Sequence, residues 1–113
     1  IKNNHIVAAG GVKAALERAM ATEVPVEIEV RTRAEIDEAL ACGARRLLLD
    51  NLTPERAAEE IRHIAGRAEV ELSGGITLDN VRAYAEAGAD FVSAGAITHS
   101  AVAVDINFQL ELA

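Results

Sequence analysis

The sequence predicts an α/β fold of parallel βα units that form part of a barrel. Three observations predict it. Strand-like runs recur at Val26–Val30, Arg46–Asp50, Glu69–Ser73 and Asp90–Gly95, starting at positions 26, 46, 69 and 90. Between them lie helical stretches with marked starts and stops. Within the runs, polar and apolar residues alternate instead of forming continuous apolar blocks. Short connections between repeated units of this kind require parallel strands with right-handed crossovers.

The elements follow in order. Lys2-Asn3-Asn4-His5 reads as a loop, and a helix is expected over Val12–Ala21. After the first strand, Thr32 and Glu35 spell a capping box, and Gly43 marks the stop. Thr53 followed by Pro54 is an N-cap with Pro at the first helical position, and Gly66 ends that helix. Thr77 is the expected start of the next helix and Gly88 its end. Ile36 with Leu40, and Ala57 with Ile61 and Ile64, share helix faces suited to packing on a sheet. The stretch Val104–Leu112 reads as a fifth strand or an arm, interrupted by Asp105 and Asn107.

Alternation argues for a barrel. Val24, Val26, Ile28 and Val30 share one face, and Glu27 and Glu29 the other. Arg46, Leu48 and Asp50 lie together, as do Glu69, Glu71 and Ser73 opposite Val70 and Leu72. Strands of an open doubly wound sheet are buried on both faces and read as continuously apolar. Here one face suits helices and the other a polar lumen, as in a TIM-like α/β barrel. An open sheet with one solvated face is the alternative, although parallel sheets rarely leave a face bare. Buried carboxylates need neutralising partners. Arg46 is therefore expected between Glu27 and Glu69 at the bottom of the lumen. At the top, Glu29 and Asp50 call for Lys2, a metal ion, or both.

The 113 residues suit one domain, while a closed (βα)8 barrel takes about 250. A partial barrel is the expectation, and residues 1–113 form one domain without linkers. Ile1 starts the chain without Met or a leader, which suggests a processed, excised or designed piece. The net charge of −7 argues against a nucleic-acid partner. No apolar run approaches the roughly 18 residues of a membrane span. The lone Cys42 forms no internal disulfide and reads as a small core residue.

Sites in parallel α/β folds form at the carboxyl ends of strands. Those ends are Glu29, Asp50-Asn51, Ser73-Gly74-Gly75 and Ala94-Gly95-Ala96. Glycines let backbone N–H groups approach an anion, and a helix start at Thr77 would favour negative charge. Two small-residue loops on successive strands point to phosphate. His5, His63 and His99 show no metal-ligand spacing.

The ordered motifs Ile1-Lys2-Asn3-Asn4-His5-Ile6, Val26-Glu27-Ile28-Glu29-Val30, Leu48-Leu49-Asp50-Asn51, Ser73-Gly74-Gly75-Ile76 and Gly95-Ala96-Ile97-Thr98-His99-Ser100 carry a resemblance. Together they resemble the C-terminal part of quinolinate phosphoribosyltransferase, the carboxylating nicotinate-nucleotide pyrophosphorylase. The resemblance implies conversion of quinolinate and phosphoribosyl diphosphate to nicotinate mononucleotide, diphosphate and CO2, with Mg²⁺, in NAD biosynthesis. It implies that Lys2 helps bind the substrate carboxylates. Glu29 and Asp50 would hold the ribose hydroxyls and the magnesium–diphosphate. Ser73, Gly74, Gly75, Gly95 and Ala96 would surround the 5-phosphate, and His99 belongs to the closing Thr-His-Ser motif. A cytoplasmic homodimer or higher homo-oligomer is the expected assembly.

Two departures qualify these implications. Asn3 stands where the family usually has Asp. The family's N-terminal domain and early barrel strands, with the arginines that grip the substrate carboxylates, have no counterpart here. Turnover by this chain alone is therefore not expected. The alternatives are a phosphate-binding module and a part-barrel cut or built to study folding. A thiamine phosphate synthase relative fits the Lys-x-Asn-His and Gly-Ala-x-Thr-His-Ser elements poorly.

Overall fold

The computed structural model describes residues 1–111. The order of elements is α1 (Asn3–Ala9), α2 (Val12–Met20), β1 (Ile28–Val30), α3 (Arg33–Ala41), β2 (Arg46–Asp50), α4 (Pro54–Ile64), β3 (Glu69–Ser73), α5 (Val81–Glu86) and β4 (Phe91–Val92). A 3₁₀ turn, Gly95–Ile97, follows. The strands form one sheet in the order β1-β2-β3-β4, every pair parallel. This is an arc of the predicted barrel.

The register places the polar residues side by side. Arg46 pairs with Glu69, Glu71 with Leu48, and Asp50 with Ser73. Glu29 lies level with Leu48, and Glu71 with Phe91. The opposite face carries Ile28, Val30, Leu47, Leu49, Val70 and Leu72, all buried. Ile36, Ala39, Ala57 and Ile64 of the helices pack there, with Leu16 and Tyr84. Cys42 is half-buried against this core.

Several boundaries differ from expectation. The first strand begins at Ile28 rather than Val26, but Ile1 lies along its free edge. The Ile1 amine donates to the Glu27 carbonyl at 2.5 Å, and Glu29 N–H donates to the Ile1 carbonyl at 2.9 Å. Lys2–His5 is not a loop: Lys2 is the N-cap of α1, and its N–H donates to His5 Nδ1. The last strand shortens to two residues, because the chain turns into the 3₁₀ segment at Gly95. Thr77 does not cap a helix. Asn80 is the N-cap of α5, and the Asn80 side chain accepts from Thr77 N–H and donates to the Gly75 carbonyl. The capping box at Thr32 and the Thr53-Pro54 start are as expected.

Residues 104–111 form no strand, and Leu112 of that predicted stretch lies outside the described residues. Instead an extended, exposed arm leaves the body, and Val102, Val104, Ile106, Phe108 and Leu110 are open to solvent.

Candidate functional site

The polar face of the sheet has a lower and an upper layer. In the lower layer, Arg46 binds Glu69, with Nη2 to Oε2 at 3.0 Å, and lies over the Phe91 ring at 4.2 Å from its centroid. It makes no ion pair with Glu27, contrary to expectation. Arg46 lies level with Glu69 on one side and, by the β1 offset, with Glu27 on the other. Its ion pair goes to Glu69, and its charge only partly offsets the burial and the Glu71 carboxylate that act on Glu27. Burial, the Glu71 charge and a hydrogen bond between the two carboxyls push Glu27 above its ordinary value. Glu27 Oε1 is buried without a partner.

In the upper layer, Glu29 is 9% exposed and lies 3.6 Å from Arg31 Nε. Asp50 Oδ1 accepts from Ser73 Oγ, and Oδ2 accepts from Asn51 Nδ2 at 2.5 Å. Neither carboxylate is paired with Lys2, whose exposed ammonium makes no ion pair among the described residues. Arg31, Ser73 and Asn51 thus meet these carboxylates where Lys2 was expected to. Asn51 adopts a left-handed conformation, φ 57°. Its N–H donates to the Ser73 carbonyl, so β2 and β3 stay joined up to the site.

Beyond these carboxylates lies a cleft of about 700 Å³. Ser73, Gly74, Gly75, Ser93, Gly95, Ala96 and His99 help line it. The structure therefore brings together the two predicted glycine loops and His99. Gly74 has φ 90°, and a Cβ there would fall 2.3 Å from Asn51 Oδ1. Gly95 lies close under His99: a Cβ would fall 2.4 Å from Nε2. His99 Nδ1 is 2.8 Å from Ser100 Oγ. Among the described residues, no hydrogen bond uses the N–H groups of Gly74, Gly75, Gly95 or Ala96. Such free N–H groups suit an anion. The expected helix start beside Gly75 is not part of this arrangement, since α5 begins only at Val81.

Three residues near the cleft escaped the sequence reading as site residues, Glu71, Asn80 and Ser93, while Asn51 was read only as part of a strand end. Ser93 Oγ donates to Glu71 Oε1. A signal was present, because Ser73-Gly74-Gly75 and Ser93-Ala94-Gly95 repeat a serine two residues before glycine on successive strands.

A second polar cluster lies outside the cleft. Glu60, 5% exposed, accepts from Arg33 Nε at 3.0 Å and from Arg56 Nη2 at 3.1 Å. Arg33 opens α3 and Arg56 lies in the first turn of α4. One buried carboxylate therefore ties together the loops that follow Glu29 and Asp50.

The class defined by this fold is an α/β barrel arc with its polar groups gathered at the strand ends. The chain belongs to the family described as quinolinate phosphoribosyl transferase, C-terminal domain, which it matches over residues 1–109. It is 33% identical to a probable carboxylating nicotinate-nucleotide pyrophosphorylase of Bacillus subtilis, covering 99% of this chain and 40% of that protein. It is 38% identical to the Mycobacterium leprae enzyme of the same name, covering 97% and 40%. Among solved structures, the pyrophosphorylase of Francisella tularensis superposes with a TM-score of 0.79 at 37% identity, over 87% of this chain and 36% of that one. NadC from Streptococcus pyogenes gives 0.80 at 38%, over 88% and 36%. The chain thus spans about two-fifths of the length of these relatives. Among the described residues, no helix is long and apolar enough to cross a membrane.

Proposed function

We propose that this chain is the later part of the barrel domain of a phosphoribosyltransferase. The complete enzyme would convert quinolinate and phosphoribosyl diphosphate to nicotinate mononucleotide, diphosphate and CO2. An N-terminal domain, the earlier barrel strands and a second subunit would complete its site. One observation carries the reading: two glycine loops with free N–H groups flank one cleft beside Asp50.

The chemistry follows from charge. As the bond from the ribose anomeric carbon to diphosphate breaks, positive charge develops on the ribose and negative charge on the leaving group. The pyridine nitrogen then bonds to that carbon, the carboxylate on the neighbouring ring carbon leaves as CO2, and the electron pair left on that ring carbon takes up a proton from water. Gly74, Gly75, Gly95 and Ala96 would hold the 5-phosphate and so position the reacting carbon. Glu29 and Asp50 would accept from ribose hydroxyls and steady the developing cation. Lys2, free of ion pairs, would turn to a substrate carboxylate, and His99 would close the phosphate loop.

Among the described residues, no three His, Cys, Asp or Glu side chains converge as a metal site. Mg²⁺ takes one or two carboxylates and completes its shell with phosphate oxygens and water. Asp50 and Glu29 fit that limited role, and the ion would add positive charge beside the leaving group.

A second reading is a phosphate-binding module without turnover. It is favoured by the cleft lining, where His99 is the only ionisable side chain among the described residues. One titration separates the readings from an inert scaffold: the chain with phosphoribosyl diphosphate and Mg²⁺, following amide shifts by NMR. Saturable shifts at Gly74, Gly75 and Gly95, weakened in Asp50→Ala, are expected. A folded chain with no saturable shift would overturn the binding module and leave these motifs as scaffold whose site forms only in the complete enzyme.

A further inference from the structure

The two serines of the cleft are bonded alike. Ser73 Oγ donates to Asp50 Oδ1, and Ser93 Oγ donates to Glu71 Oε1. A serine hydroxyl has one hydrogen and two lone pairs. Each serine has given its hydrogen to a carboxylate on the polar face of the sheet. Toward the cleft, each therefore offers only an acceptor.

A phosphate oxygen needs donors, and the free N–H groups of the glycine loops supply them. Serine acceptors suit a different group, a hydroxyl on the same ligand. The register makes this a shared feature. Glu71 pairs with Phe91 and Leu72 with Val92, so the same offset brings Ser73 level with Ser93. Glu71 lies one step below on the same face and holds the Ser93 hydroxyl from beneath.

We propose that Glu71 is a positioning residue that keeps Ser93 Oγ as a hydroxyl acceptor, so that the cleft favours a phosphorylated sugar over bare phosphate. This rests on the phosphate-cleft reading above and adds a selectivity to it. Glu71→Ala tests it by removing the acceptor. Without that carboxylate the Ser93 hydrogen is released and can turn toward the cleft.

The experiment titrates the 113-residue chain with ribose 5-phosphate and with inorganic phosphate, reading both dissociation constants from amide shifts. Wild type is expected to prefer ribose 5-phosphate. Glu71→Ala and Ser93→Ala should each lower that preference by about three- to tenfold, as the loss of one ordinary hydrogen bond allows. Phosphate affinity should stay within about twofold, since the N–H donors are untouched. The double variant should lose no more than either single one. Equal weakening of both ligands in Glu71→Ala, the mark of a merely structural role, would overturn the proposal. If Glu71→Ala does not fold, Ser93→Ala decides: an unchanged preference overturns it. A folded wild type that binds neither probe would remove the cleft reading, and this proposal with it.

Discussion

Asp50 and Ser73 stand opposite each other at the last paired position of β2 and β3, and the serine hydroxyl donates to the carboxylate. Asp50 is thereby held between Ser73 and Asn51 before any ligand arrives. Asp50→Ala should orphan the Ser73 hydroxyl and the Asn51 amide at a cost of about 1–2 kcal/mol. Asp50→Asn should cost less, because an amide oxygen still accepts from serine. Urea unfolding of the two variants checks the order.

The two cleft glycines should respond differently to alanine. At Gly74 a Cβ meets the side chain and backbone of Asn51, and φ is 90°. Gly74→Ala should destabilise the chain by about 2–4 kcal/mol through strain and clash together. At Gly95 φ is not in the left-handed region, and the Cβ meets only the ring of His99. Gly95→Ala should leave the melting temperature nearly unchanged while shifting the His99 ring resonances.

Glu27 sets a pH dependence. Its folded value is raised above the ordinary 4.5, so the folded state binds that proton more tightly than the unfolded chain. The stabilisation is full below 4.5 and is lost as pH rises through the raised folded value. Glu27→Gln should therefore match wild type near pH 4 and exceed it at pH 7, as read by denaturant midpoints at the two pH values.

Glu60→Ala should loosen the first turns of α3 and α4 together. The two guanidiniums can turn to water, since half or more of each is exposed, so the expected loss is about 1–3 kcal/mol. Hydrogen exchange should speed at Glu35 and Arg56, whose N–H groups bond Thr32 and Thr53. Unchanged exchange at both sites would count against the tie.

Truncation after Ser100 should not destabilise the sheet. Val102, Val104, Ile106, Phe108 and Leu110 are between 76% and 93% exposed. Removing them takes away apolar surface that favours self-association. Size-exclusion profiles over a concentration series should show less association, with the thermal midpoint unchanged.

Strand faces and helix starts were legible because they are local. Period-two alternation put Glu27, Arg46, Asp50, Glu69 and Ser73 on one face, and the register agrees. Thr32 with Glu35, and Thr53 with Pro54, marked helix starts through bonds three residues long. The signal at Thr77 misled because Asn80 can serve both Thr77 N–H and the Gly75 carbonyl. Glu60 was not read, although Ala57, Ile61 and Ile64 around it on a packed helix face were the signal that its carboxylate had to be covered.

The sequence by itself determined the βα order, the polar and apolar faces, and the glycine loops at the strand ends. These depend on the spacing of neighbours along the chain. Tertiary structure alone decided the partners: Arg46 with Glu69 rather than Glu27, Glu27 with Glu71, Asp50 with Ser73, and Glu71 with Ser93. Long polar side chains choose among several reachable groups. The choice depends on strand register and burial, which bring together residues about twenty to forty positions apart.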